Sequence, residues 1–108
     1  MQNNLYITLK NGKFYHTGIL ADNILNKNPG IRETPEYRSL EDRYFDYTSA
    51  CNKKEQQDWM CYYMSKAIEQ DIAATHLMSR GMEHWAAAQG MKFDAALQFI
   101  VAFDLIAE

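Results

Sequence analysis

Phe93-Asp94-Ala95-Ala96-Leu97-Gln98-Phe99-Ile100-Val101-Ala102-Phe103-Asp104-Leu105-Ile106-Ala107-Glu108 is a helix-length run whose apolar side chains fall on every side of the helical wheel. A helix with no polar face has to be enclosed by other protein. In a chain of 108 residues the enclosing surface is the rest of the same small domain or a second copy of it. The run therefore bears on fold and assembly together. It predicts a central helix or a homodimer seam, with Phe99, Ile100 and Phe103 as the residues of such an oligomer seam.

The remainder of the sequence has to supply that cover. One domain is the expectation at this length, and it is long enough to bury a real core without disulfides or a structural metal. Hydrophobic residues make up 47% and aromatics 13%, against 23% charged, a balance that excludes disordered and collagen-like chains. The net charge of −3 is unevenly placed. Residues 1–34 hold four Lys/Arg and two acids, whereas residues 35–108 hold seven and twelve, so the second part carries the acidity. Phosphate-backbone binding rests on Lys and Arg, and no basic cluster occurs beyond Lys53-Lys54, which argues against direct contact with nucleic acid.

Residues 5–19 read as two strand-prone runs flanking Asn11-Gly12, the dipeptide that best tolerates the positive φ angles of a tight hairpin turn. Alternation puts Leu5, Ile7 and Leu9 on one face and Tyr6 and Thr8 on the other. Two strands alone are marginal, so the Leu/Ile/Leu face is expected to pack on helices. Residues 20–27 suit a short helix ended by Asn28-Pro29-Gly30. Thr34-Pro35-Glu36 has the order of a helix start, with Thr as cap, Pro at the first helical position and Glu at the positive end of the dipole. In the helix from 35 to about 49, Tyr37, Leu40, Tyr44 and Tyr47 recur at helical spacing and form the expected buried stripe.

Asn52 with Glu55 marks a further start, a variant of the capping box. The helix that follows is expected to run from about 53 to 80, with a break or a continuation at Gly81. Met60, Tyr63, Met64, Ala67, Ile68, Ala74 and Met78 share one face, which Met82 and Trp85 extend if the helix continues. Gly90 reads as a stop, with the last helix starting near Asp94. The fold class expected is α+β, mainly helical, with an N-terminal β-hairpin packed on a bundle of three to four helices.

Little in the sequence speaks for catalysis. His76 and His84 are eight apart and belong to no His-Glu-x-x-His motif, and Cys51 and Cys61 add no zinc-type spacing. Neither a glycine-rich phosphate loop nor a Gly-x-Ser-x-Gly elbow occurs. No cofactor and no metal are expected. The two cysteines read as reduced thiols. The N-terminus lacks the basic start and apolar run of a signal peptide. The terminal apolar run falls short of the roughly 20 residues that span a bilayer. These readings point to a cytoplasmic protein without a membrane segment.

Two acids stand among apolar neighbours: Asp71 in the Met stripe and Asp104 among Phe93, Leu97, Ile100 and Val101. A buried carboxylate must be paired or protonated. Two of them could share a proton and serve a small ligand-binding domain or enzyme. The plainer expectation is that each is held by a tyrosine or by an arginine such as Arg43 or Arg80, or borders solvent.

The stronger functional signal lies off the stripes. Half of the 14 aromatic residues fall between Tyr37 and Tyr63. Phe45, Trp59 and Tyr62 project away from the apolar faces of their helices, with Glu41, Asp42, Asp46 and Asp58 nearby in sequence. Aromatic anchors ringed by polar groups give protein interfaces their affinity, and acids steer a basic partner. The expectation is a non-catalytic module that binds a protein partner with a basic surface through Glu41, Asp42, Phe45, Asp46, Asp58, Trp59 and Tyr62. Small, acidic, motif-free chains of this kind include inhibitors of nucleases and defence complexes encoded by phages and mobile elements, a comparison that rests on size and charge alone.

Overall fold

A computed structural model describes residues 6–8 and 14–107. Two short strands, β1 (Tyr6–Thr8) and β2 (Phe14–His16), pair antiparallel with Ile7 opposite Tyr15. The Asn11-Gly12 turn and two members of the expected Leu5/Ile7/Leu9 face lie outside the described residues. Four helices follow: α1 (Thr17–Lys27), α2 (Pro35–Tyr47), α3 (Lys53–Met78) and α4 (Trp85–Ala107), with 3-10 turns at Ile31–Glu33 and Met82–His84. The chain is mainly helical.

Each helix start has a local chemical cause. His16 Nδ1 accepts the Ile19 amide at 3.1 Å and opens α1 directly from β2, three residues before the position expected from sequence. Thr34 Oγ1 accepts the Tyr37 amide at 3.1 Å ahead of Pro35. At α3 the box closes in both directions: Asn52 Oδ1 accepts from the Glu55 amide at 2.8 Å and Glu55 Oε1 accepts from the Asn52 amide at 2.9 Å.

The break between α3 and α4 falls at Gly81, whose φ of 142° lies where side chains are rarely tolerated. A Cβ there would also come within 2.6 Å of Glu83 Oε2. The indole of Trp85 donates to the Met78 carbonyl at 3.2 Å, satisfying one of the open carbonyls at the end of α3. Gly90, by contrast, does not stop a helix, and α4 does not begin near Asp94. α4 begins at Trp85 and continues through Gly90. A mid-helix glycine costs about 1 kcal/mol, and here packing against α3 offsets it.

α3 and α4 form an antiparallel pair fastened by polar side chains. Gln70 Nε2 donates to the Met91 carbonyl at 3.2 Å and to Asp94 at 3.0 Å, and Gln98 donates to Gln70 and Asp94 at 2.9 and 2.7 Å. α1 and α2 cover the other sides of α4. The core joins Ile31, Leu40, Tyr44, Met60 and Met64 to Leu97, Phe99, Ile100, Val101 and Leu105.

Most of the terminal apolar run is thus hidden by its own chain, with Phe93 left exposed at its start. Phe99 and Ile100 are 2% and 0% exposed, so of the two covers expected, the same domain or a second copy, α1, α2 and α3 supply the first. This corrects the assignment of these two residues to an oligomer seam. Phe103 stays half-buried and stacks on Phe99.

Candidate protein interface

A connected set of rings runs across the junction of α2 and α3. Tyr44 on α2 stacks face to face on Tyr63 of α3, with centroids 4.2 Å apart and planes 7° from parallel. Tyr63 in turn contacts Trp59 at 6.0 Å and Tyr62 at 5.6 Å, and Trp59 meets Tyr62 edge to face at 5.7 Å and 87°. Tyr47 joins from the end of α2, 6.4 Å from Tyr44. The base of the set is buried, with Tyr44 only 4% exposed, while Tyr47, Trp59 and Tyr62 are 61%, 47% and 49% exposed. Tyr47 therefore leaves the buried stripe expected of it: α2 ends there, beyond the reach of α4.

Burial sets the protonation of this region. The Tyr44 hydroxyl is pushed well above its ordinary value by desolvation, and Tyr63 is raised by the same cause with help from Tyr47 and Tyr62. The Cys61 thiol is also raised by burial, with Asp58 adding to the effect, which makes it a poor nucleophile at neutral pH.

The acids expected in one surface divide into two groups. On α3, Asp58 and Glu55 adjoin Trp59 and Tyr62, and these four side chains line one shallow hollow. Asp58 pairs with Lys54 at 3.0 Å, and Lys66 lies 5.8 Å from the Tyr62 ring centre. On α2, Glu41, Asp42, Phe45 and Asp46 repeat at three- and four-residue spacing and form a stripe turned away from the buried Leu40 and Tyr44. Phe45 is 44% exposed on that stripe. Tyr44 and Tyr47 lie between the two groups. Glu55, Tyr47 and Tyr63 were not among the residues expected from sequence. The cap role of Glu55 was legible there, but its place beside the rings depends on which way the first turn of α3 faces.

The two acids singled out for a shared chemical role are separate. Asp71 is not buried in the Met stripe: its side chain is 53% exposed and bound to Lys92 Nζ at 3.1 Å, and the same ammonium reaches Thr75 at 2.8 Å. Met82, at 78% exposed, leaves the stripe too, because the helix has ended. Asp104 is held near the end of α4 by residues of the first 3-10 turn and α2. Arg32 grips it bidentately, Nε to Oδ2 at 2.9 Å and Nη2 to Oδ1 at 2.7 Å, and the Tyr37 hydroxyl donates to Oδ2 at 2.5 Å. Arg32 replaces Arg43 and Arg80 as the arginine partner. Tyr37 is raised above the tyrosine range by burial first and by Asp104 second, and Arg32 is raised by its bond to Asp104.

A cleft of about 320 Å³ lies between α1, α3 and α4, walled by Leu20, Ile24, Ile68 and Phe99 with Asp71 and Lys92 at its border, and Asp104 does not line it. Among the described residues no group of three or more His, Cys, Asp or Glu side chains is arranged to hold a metal ion, and no helix is long and apolar enough to cross a membrane. No protein-family model, curated protein or solved structure matches the chain.

Proposed function

We propose that this protein is a non-catalytic interaction module that occupies the surface of a partner protein, using the ring set on α3 as its anchor and the nearby acids to orient a basic partner. The observation that carries the reading is the half-exposed pair Trp59 and Tyr62, mounted on the partly buried Tyr63, which stacks on the buried Tyr44. Large rings fixed at their base and open at their tip lose little conformational freedom on binding, which is what interface hot spots require. The α2 stripe of Glu41, Asp42, Phe45 and Asp46 contributes charge from the neighbouring side, where it accelerates encounter more than it adds affinity. Action as an inhibitor of a host nuclease or defence complex is the narrower form of this proposal and stands on size and acidity alone. The competing reading, a ligand site or enzyme built on Asp71 and Asp104 together, loses its premise because the two acids have different partners and Asp71 faces solvent.

The test is affinity capture from the native cell with three baits: the natural chain, the Trp59→Ala/Tyr62→Ala double variant, and a Met82→Ala control in the 3-10 turn beyond the far end of α3. A partner retained by the natural chain and the control but lost by the double variant is the expected result. Circular dichroism should show both variants folded, with truncation of the exposed rings costing about 1 kcal/mol per ring pair. Identical captures by all three baits would remove the reading.

A further inference from the structure

We propose that the hollow between Trp59 and Tyr62 receives an arginine side chain of the partner protein, an inference that rests on the interaction reading above and specifies what the surface holds. All four residues that line the hollow, Glu55, Asp58, Trp59 and Tyr62, attract positive charge. Two do so as carboxylates. The other two do so through the negative faces of their rings, which stand edge to face and so offer a face as a wall. Among the described residues no aliphatic side chain lines the hollow.

The chain's own cations already gather at this edge. The Lys66 ammonium lies 5.8 Å from the centre of the Tyr62 ring and Lys54 sits 3.0 Å from Asp58. Lys54 and Asp58 are 82% and 66% exposed, and exposed pairs of this kind are weak and exchange readily with a better cation. Glu55 commits Oε1 to the Asn52 amide, which leaves Oε2 outside that bond, and the residue lines the hollow. Asp58 and Trp59 stand in the second turn of α3, where the positive field of the helix start has fallen off.

Arginine fits this set better than lysine. A guanidinium is flat, lies against an indole face, and still presents edge N–H groups to two carboxylates, whereas an ammonium is a compact, strongly hydrated point charge. The recognised feature is therefore one exposed arginine on a partner surface, oriented by Asp58 and Glu55 and covered by Trp59.

The experiment titrates the folded chain at low salt with N-acetyl-Gly-Arg-Gly-amide, following the Trp59 indole and Tyr62 ring resonances by NMR, beside the same peptide carrying lysine or citrulline. The arginine peptide is expected to move both resonances and the neutral citrulline peptide neither. The lysine peptide, and the arginine peptide on Glu55→Gln/Asp58→Asn, should bind at least about fivefold more weakly. Glutamine serves the capping box as glutamate does, so the variant keeps the start of α3. Equal shifts with citrulline, undiminished binding by the variant, or no shift at millimolar arginine peptide would each overturn the proposal. The capture experiment separates the two levels. A partner retained by Glu55→Gln/Asp58→Asn but lost by Trp59→Ala/Tyr62→Ala ends the arginine assignment and leaves the interaction reading standing.

Discussion

Asp104 and Asp58 are both carboxylates beside tyrosines on long helices, yet their surroundings differ in every respect that matters. Asp104 is 17% exposed and receives three hydrogen bonds, two from Arg32 and one from the Tyr37 hydroxyl, across some seventy residues of sequence. Asp58 is 66% exposed and meets one lysine four residues away on its own helix. The first ties the 3-10 turn and α2 to α4. The second ties nothing distant, so its charge and the rings beside it are available to another molecule. The same residue types thus serve structure where the fold supplies their partners and stay open to solvent where it does not.

That contrast can be broken most forcefully at the core that underlies it. Phe99→Ala removes a ring that is 2% exposed, and the expected loss is about 3–5 kcal/mol, read as a lower urea midpoint. A loss as small as that expected at Trp59 would mean that α4 is not the enclosed helix described above.

Smaller, and more diagnostic, is Asp104→Asn. It leaves Arg32 without its bidentate partner and weakens the bond from Tyr37, at an expected cost of about 1–3 kcal/mol. A double-mutant cycle with Tyr37→Phe should return a coupling well above zero, while the equivalent cycle for Lys54 and Asp58 should return at most about 0.5 kcal/mol. Equal couplings would erase the distinction between the two acids.

The gentlest perturbation is pH. Tyr37, Tyr44 and Tyr63 are all raised above the ordinary tyrosine value of 10.0 in the fold, chiefly by burial. Below that value folded and unfolded chains both keep these protons, and the stabilisation is present in full. As pH climbs beyond it the unfolded chain releases them first, so stability should fall steadily from about pH 9.5 upward. Urea midpoints measured between neutral pH and about pH 11 check this, and a flat profile would show that the fold does not hold these hydroxyls protonated.

Much of the helical frame was legible because its signals are local. Thr34-Pro35-Glu36 and the Asn52–Glu55 box act within one turn, and a capping bond needs only residues that are already neighbours in sequence. Gly90 misled for the complementary reason: its local preference for ending a helix is worth about 1 kcal/mol, which packing of the flanking residues on α3 exceeds. Asp71 was misplaced by the wheel: its spacing puts it inside the apolar stripe, yet its side chain is 53% exposed and paired with Lys92 of α4, because a wheel does not show where along its length a helix is covered. Of the candidate surface, the open rings of Phe45, Trp59 and Tyr62 could be read from periodicity, but the division of the acids between two helix faces could not.

By itself the sequence determined that most of the terminal apolar run must be hidden and where α2 and α3 begin, because apolar periodicity and caps operate over a few residues. Only the tertiary structure decided what hides that run, that Arg32 and Tyr37 hold Asp104, and that Tyr44 stacks under Tyr63 to prop Trp59 and Tyr62 toward solvent. Those outcomes depend on how helices dock, and docking is fixed by the summed packing of side chains distant in sequence, which no short stretch of residues encodes.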